Sequence, residues 1–87
     1  MALVFIPAQL RPLTGGRDRI EVAGRTVGEL VEAIDALHPG FAERIVENGE
    51  LVPSLAVSVD GDVVSGGLLE AVQADSEVHF VPALGGG

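Results

Sequence analysis

The chain has 87 residues, 47% of them hydrophobic and 21% charged, enough for one domain with a single core and too apolar for a disordered segment. Thirteen acidic residues against five arginines give a net charge of −8, which repels nucleic-acid backbones and favours a basic protein partner. No cysteine and no lysine is present, so disulfides, thiolate-held metals, thiol catalysis and acyl transfer to a side-chain amine are excluded.

A coding bias toward Ala, Gly, Val and Arg is the simpler explanation for the missing lysine. No apolar run approaches the roughly 20 residues that span a bilayer, and the apolar start at residues 1–7 lacks the basic region of a signal peptide. A cytoplasmic protein with no membrane partner is expected. The arginines Arg11, Arg17, Arg19, Arg25 and Arg44 are scattered along the sequence and form no cluster.

Residues 2–6 are an unbroken apolar run ended by Pro7, which predicts a strand covered on both faces and central in its sheet. Pro7, Pro12, Gly15 and Gly16 place a long loop over residues 7–17. Residues 18–22 alternate, with Ile20 and Val22 on one side and Arg19 and Glu21 on the other, as in a half-buried strand. Thr26-Val27-Gly28-Glu29 is a capping box at a helix start. Val27, Leu30, Val31, Ile34 and Leu37 then form one apolar stripe, with Glu29, Glu32 and Asp35 off it in water, predicting a helix over residues 27–37 that stops at His38-Pro39-Gly40.

Residues 41–46 fit one further turn of helix with Phe41 and Ile45 inward, and residues 47–53 read as a polar loop. Residues 55–59 alternate again, Asp60-Gly61 signals a hairpin turn, and a short strand follows at Val63-Val64. Gly66-Gly67 breaks the chain, residues 68–75 read as a crossover anchored by Leu68, Leu69 and Val72, and residues 77–81 form the last strand. The order β-β-α-(short helix)-β-β-β is that of an α+β, ubiquitin-like β-grasp: a mixed sheet of four to five strands packed on one main helix. The domain occupies residues 1–82, and residues 83–87 form a flexible C-terminal tail ending in Gly85-Gly86-Gly87.

No enzyme active site can be assembled. His38 and His79 lie on different elements without a nearby nucleophile, and His38 suits the negative end of the helix dipole. Asp60-Gly61-Asp62 opens like a calcium loop but lacks the remaining ligands, so it reads as a turn. Gly15-Gly16 and Gly66-Gly67 lack the strand–helix context of phosphate loops. Neither a catalytic residue nor a metal site is expected.

The tail remains. Glycine costs more to order than any other residue, so three in succession do not serve stability. The five residues after Pro82 reach about 17 Å when extended, enough to thread a carboxylate through a channel too narrow for any Cβ.

The whole chain resembles the small ubiquitin-like sulfur carriers of bacteria, related to the thiamine-pathway carrier and the small subunit of molybdopterin synthase. The tail pattern Pro-x-x-x-Gly-Gly falls on Pro82, Gly86 and Gly87. Ile6-Pro7, Leu10-Arg11-Pro12-Leu13-Thr14-Gly15-Gly16 and Ser65-Gly66-Gly67-Leu68 look most like the cysteine-biosynthesis carrier of actinobacteria. Gln73-Ala74-Asp75-Ser76 departs from the Asp-Gly-Asp turn of many relatives, which affects a turn and not the chemistry.

The resemblance implies that an E1-like enzyme adenylates Gly87 with ATP and that sulfur then replaces AMP, leaving a C-terminal thiocarboxylate. In the cysteine branch it further implies a pyridoxal-phosphate cysteine synthase as sulfur acceptor and a metal-dependent peptidase that releases the product. Those cofactors belong to the partners, and none is expected on this chain. Gly85 and Gly86 would thread into the partner. Strand parity puts Val78 and Phe80 toward the helix and His79 and Val81 outward, so that His79, Val81, Ala83 and Leu84 are the expected partner-binding strip. Other readings are a carrier for molybdopterin, thiamine or a thio-natural product, a ubiquitin-like protein modifier, and an inert interaction domain.

Overall fold

A computed structural model describes residues 1–83 of the protein. Its strands are β1 (Ala2–Phe5), β2 (Arg19–Val22), β3 (Val46–Glu47), β4 (Glu50–Leu51), β5 (Leu55–Val59), β6 (Asp62–Val64) and β7 (Glu77–Pro82), and its helices are α1 (Val27–Leu37) and α2 (Phe41–Ile45). Five strands form one mixed sheet in the order β2-β1-β7-β5-β6, with β1 and β7 parallel and the other pairs antiparallel. The chain is thus an α+β β-grasp in which one long helix crosses the sheet.

The core lies between α1 and the inner face of the sheet. Val27, Leu30, Val31 and Ile34 of α1 are buried against Val4, Ile20, Val57, Val78 and Phe80. Phe41, fully buried at the start of α2, meets Phe80 edge-on at a centroid distance of 6.5 Å, which ties the helical layer to β7. The helix begins as its sequence predicts: the Glu29 amide donates to Thr26 Oγ1 at 3.2 Å. The reciprocal carboxylate reaches one residue further back than a capping box requires, since Glu29 Oε1 accepts from the Arg25 amide at 2.8 Å.

Six expectations need correction. Leu69 does not anchor the crossover over residues 68–75: it is exposed, and only Leu68 and Val72 pack on the core. The central place belongs to β7 and not to β1, whose faces alternate between buried Ala2 and Val4 and half-buried Leu3 and Phe5. Of its outward residues, Phe5 packs sideways on His79 of the neighbouring strand. Inside residues 7–17, Ala8–Thr14 winds into a 3₁₀ helix. Leu10 and Thr14 turn inward from it, and the Thr14 hydroxyl lies within reach of the carbonyls of Arg11 (3.2 Å) and Arg17 (2.9 Å).

Leu37 leaves the stripe and is 62% exposed, because the last turn of α1 overhangs the β2 edge beside Arg17 and Arg19. Asp35 does not simply face water. Its Oδ1 accepts from the amides of Gly40 (3.1 Å) and Ala42 (3.0 Å) and so caps α2. Residues 46–51 form the β3–β4 hairpin around Asn48 and Gly49, both at positive φ (54° and 79°), where a polar loop was expected.

Candidate functional site

Each end of β7 is held by a different device. At its start, Asp60 sits in the left-handed region (φ 52°) of the β5–β6 turn, with Gly61 beside it at φ 92°. From there Asp60 Oδ2 accepts from the Ser76 hydroxyl at 2.9 Å and Oδ1 from the Glu77 amide at 2.9 Å. The Asp60 amide in turn donates to the Glu77 carbonyl at 2.8 Å. Ser76 is buried, and its Oγ also accepts from the Gln73 amide at 2.9 Å, closing the turn that delivers β7 to the sheet. The turn reading of Asp60-Gly61 is therefore incomplete: the aspartate is also a clamp.

Along the strand, Val78 and Phe80 are buried while His79 and Val81 are half-buried on the opposite face. The register places His79 between Phe5 of β1 and Ser58 of β5, and Val81 beside Ala56. The His79 ring stacks on Phe5, with centroids 4.1 Å apart and planes within 5°. The outer face beside the end of β7 is therefore a flat surface of Phe5, His79, Val81 and Ala56.

At the far end, Pro82 lies opposite Leu55, and the Ala83 amide donates to the Ser54 carbonyl at 2.9 Å. The ladder thus holds the chain one residue beyond the strand, and Ala83 stays half-buried. Of the expected site residues, His79, Val81 and Ala83 come together on this end of the sheet, whereas Leu84, Gly85, Gly86 and Gly87 lie outside the described residues. Sequence reasoning missed the Asp60 clamp and the Ser54 acceptor. The positive φ demanded by Asp-Gly signalled the first turn, but nothing in the residue types announces that Ser54 offers its carbonyl.

Among the described residues no group of His, Asp and Glu could hold a metal ion. His38 sits at the C-cap of α1, with its amide donating to the Ile34 carbonyl at 2.8 Å, on a different element from His79. No helix of the described residues is long and apolar enough to cross a membrane. What distinguishes this region is its placement: the central strand of the sheet runs directly into the glycine-rich end of the sequence.

The model of the ThiS family matches residues 4–87, nearly the whole chain and the glycine-rich end included. The chain belongs to the ThiS family. Within the family's range it is 34% identical over 89 residues to the sulfur carrier protein CysO of Mycobacterium tuberculosis, an alignment that covers 97% of this chain and 96% of the relative. Its fold matches a chain of the Amycolatopsis orientalis BexX/CysO complex with a TM-score of 0.90 and 34% identity, covering 100% of both chains. It also matches the small archaeal modifier protein 1 of Haloferax volcanii with a TM-score of 0.73 and 29% identity, covering 95% and 97% of the two chains. As a ThiS-family member the chain has the ubiquitin-like β-grasp that its element order predicts.

Proposed function

We propose that this ThiS-family chain is a sulfur carrier of cysteine biosynthesis whose working end is the carboxylate of Gly87. The observation that carries the reading is the full-length 34% identity to the CysO sulfur carrier, in a chain with no cysteine of its own on which to hold sulfur as a persulfide. A carboxylate is a poor electrophile and must first be activated. A carboxylate oxygen of Gly87 attacks the α-phosphorus of ATP in an E1-like enzyme, and pyrophosphate leaves. Hydrosulfide then attacks the acyl carbon of the adenylate and AMP leaves, so that Gly87 ends in a thiocarboxylate.

The chain acts here as a protein substrate and supplies no catalytic group. Its fold supplies reach and an address. Counted from the hydrogen bond of Ala83, the remaining four residues span about 14 Å when extended, and Gly85 and Gly86 let them pass a narrow channel. His79 and Val81 on the outer face, with Ala83 and Leu84 following them in sequence, are the landing strip for the activating enzyme in this reading. The negative surface speeds encounter with a basic partner and makes that encounter salt-sensitive.

The sulfur acceptor in this reading is a pyridoxal-phosphate synthase that makes an aminoacrylate. Cysteine, once joined to Gly87, is released by a metal-dependent peptidase. ATP, pyridoxal phosphate and the metal all reside on those partners. The test is to incubate the thiocarboxylate form with such a synthase and an activated serine, and to sequence the C-terminus by mass spectrometry. Cysteine linked to Gly87 is the expected product; a thiocarboxylate left intact by this synthase but consumed in molybdopterin or thiamine synthesis would move the carrier to another pathway. The likeness to the archaeal modifier favours one alternative, attachment of Gly87 to lysines of other proteins. Lysine adducts in cell extract would support it.

A further inference from the structure

The Ser65-Gly66-Gly67-Leu68 stretch plays no part in the chemistry at Gly87, yet it is built with care. Gly67–Leu69 is a 3₁₀ turn, with Gly67 at φ 56°. The Leu69 amide donates to the Gly66 carbonyl at 3.0 Å, and Glu70 Oε1 accepts from the Gly66 amide at 3.1 Å. Beyond the turn, the Val27 amide donates to the Glu70 carbonyl and the Val72 amide to the Arg25 carbonyl, both at 2.9 Å, fastening the segment to the start of α1. The residue so held is Leu69, 87% exposed and the most exposed large hydrophobic among the described residues. A fixed turn that presents a leucine to water resembles the preorganised anchor of an interface rather than a stray surface residue.

Leu68 and Leu69 separate two cavities on the helix side of the sheet. One, of about 440 Å³, is floored by Gly28, Val31, Ala42 and Val46. The other, of about 380 Å³, runs past Leu51 and Val64 to Leu55. They share Gly49, Leu68 and Leu69 and so lie side by side, as a groove divided by the Leu69 ridge. Its charged lining residues are Glu29, Glu32 and Glu50, with no basic residue in either cavity. At one end lies Leu55, the residue paired with Pro82 where the chain leaves the sheet toward its glycines.

We propose that this groove is a second docking surface, filled by an apolar segment flanked by Lys or Arg on the E1-like enzyme that receives the tail. Three features select that occupant. The apolar floor with its Leu69 ridge takes apolar side chains, the glutamates take basic flanks, and the start at Leu55 puts the segment on a protein that holds the tail, of which the E1-like enzyme is the first to act in the reading above. Apart from Ala56, which also lines the second cavity, the surface is distinct from the outer face of His79 and Val81, so the enzyme grips both sides of the sheet edge. The inference rests on the carrier reading given above.

The test is steady-state adenylation, followed as pyrophosphate release, by the E1-like enzyme of the same organism with the full chain as substrate. Leu69→Ser and, separately, the double variant Glu32→Gln/Glu50→Gln are compared with wild type. Leu37→Ser, an exposed leucine outside the groove, is the control. Because all four side chains are exposed or half-exposed, melting should be unchanged, which circular dichroism checks. The expected result is a KM raised about tenfold by Leu69→Ser with kcat unchanged. The double variant should raise KM at low salt and lose that effect at high salt, and Leu37→Ser should match wild type. Kinetics of Leu69→Ser equal to those of Leu37→Ser overturn the groove while leaving the carrier reading intact. Wild type that is not adenylated at all overturns the carrier reading and the groove with it. Self-association of wild type that Leu69→Ser abolishes assigns the groove to a second copy and overturns the proposal.

Discussion

Phe5 and His79 stack face to face across the parallel β1–β7 pair, 4.1 Å between centroids and 5° between planes. The contact joins the first strand of the described residues to the last, on the face opposite α1. An aromatic pair of this kind contributes about 0.5–1.5 kcal/mol beyond its area. His79→Ala should therefore cost about 1 kcal/mol in urea unfolding. If the outer face receives the activating enzyme, the same variant also raises KM severalfold with kcat little changed. A stability loss with unaltered KM would confine the stack to a structural role.

Asp60 and Ser76 are expected to behave as one unit. Removing either partner leaves a buried or strand-end polar group short of its bond, at a cost of about 1–3 kcal/mol. Each variant loses a second bond as well, Asp60→Ala that from the Glu77 amide and Ser76→Ala that from the Gln73 amide, and Asp60→Ala should be the worse because it also loses a side chain that tolerates positive φ. A double-mutant cycle read by denaturant unfolding should give a coupling well outside additivity. Additive losses would mean that the hydroxyl–carboxylate bond contributes nothing of its own.

At the helix start, Thr26→Ala removes the acceptor for the Glu29 amide and should destabilise the domain by about 1 kcal/mol. Thr26→Ser should recover most of that. Thermal melts of the three proteins decide it; a melt of Thr26→Ala unchanged from wild type would show that the Glu29 carboxylate on the Arg25 amide suffices to hold this end.

The Ala83 amide is the last described backbone donor before the glycines. Ala83→Pro deletes it, and the exposed Ser54 carbonyl can then turn to water, so the stability cost should stay below about 1 kcal/mol. The lost bond and the added ring then redirect the chain after Pro82, and kcat/KM for adenylation should fall. Unchanged kcat/KM would show that the exit direction set by Ser54 has no bearing on activation.

The sequence made the frame of this protein readable because its strongest signals are periodic. Helix α1 has a capping threonine and a stripe at helical spacing, and β5 and β7 alternate cleanly, so their spans and faces follow from residue types alone. Where a residue's fate depends on what lies opposite, pattern reading fails. Leu37 keeps the helical spacing yet stands in water because the sheet ends beneath it. Asp35 looks like a solvent residue until α2 brings two free amides to its carboxylate. The β3–β4 hairpin carries the Asn-Gly signal, but its polar flanks lack the apolar alternation that usually accompanies it.

The site divides in the same way. The outward parity of His79 and Val81 follows from period two, and the family likeness rests on motifs visible in the chain. The long-range partners Asp60–Ser76 and Ala83–Ser54, and the groove around Leu69, required the folded topology. The arginines show the limit from the other side: scattered in sequence, Arg17 and Arg19 share one cavity with His38 once the β2 edge meets the end of α1.

The central claim is that Gly87 carries sulfur, and intact-mass spectrometry tests it most directly. The chain is incubated with the E1-like enzyme, ATP and sulfide, then weighed and fragmented. The expected result is a mass gain equal to one oxygen exchanged for one sulfur, confined to the C-terminal residue. The gain should be lost without ATP and absent from a chain lacking Gly86 and Gly87 that melts like wild type. A mass that stays unchanged with an enzyme active on another carrier, or sulfur found anywhere but Gly87, would contradict it.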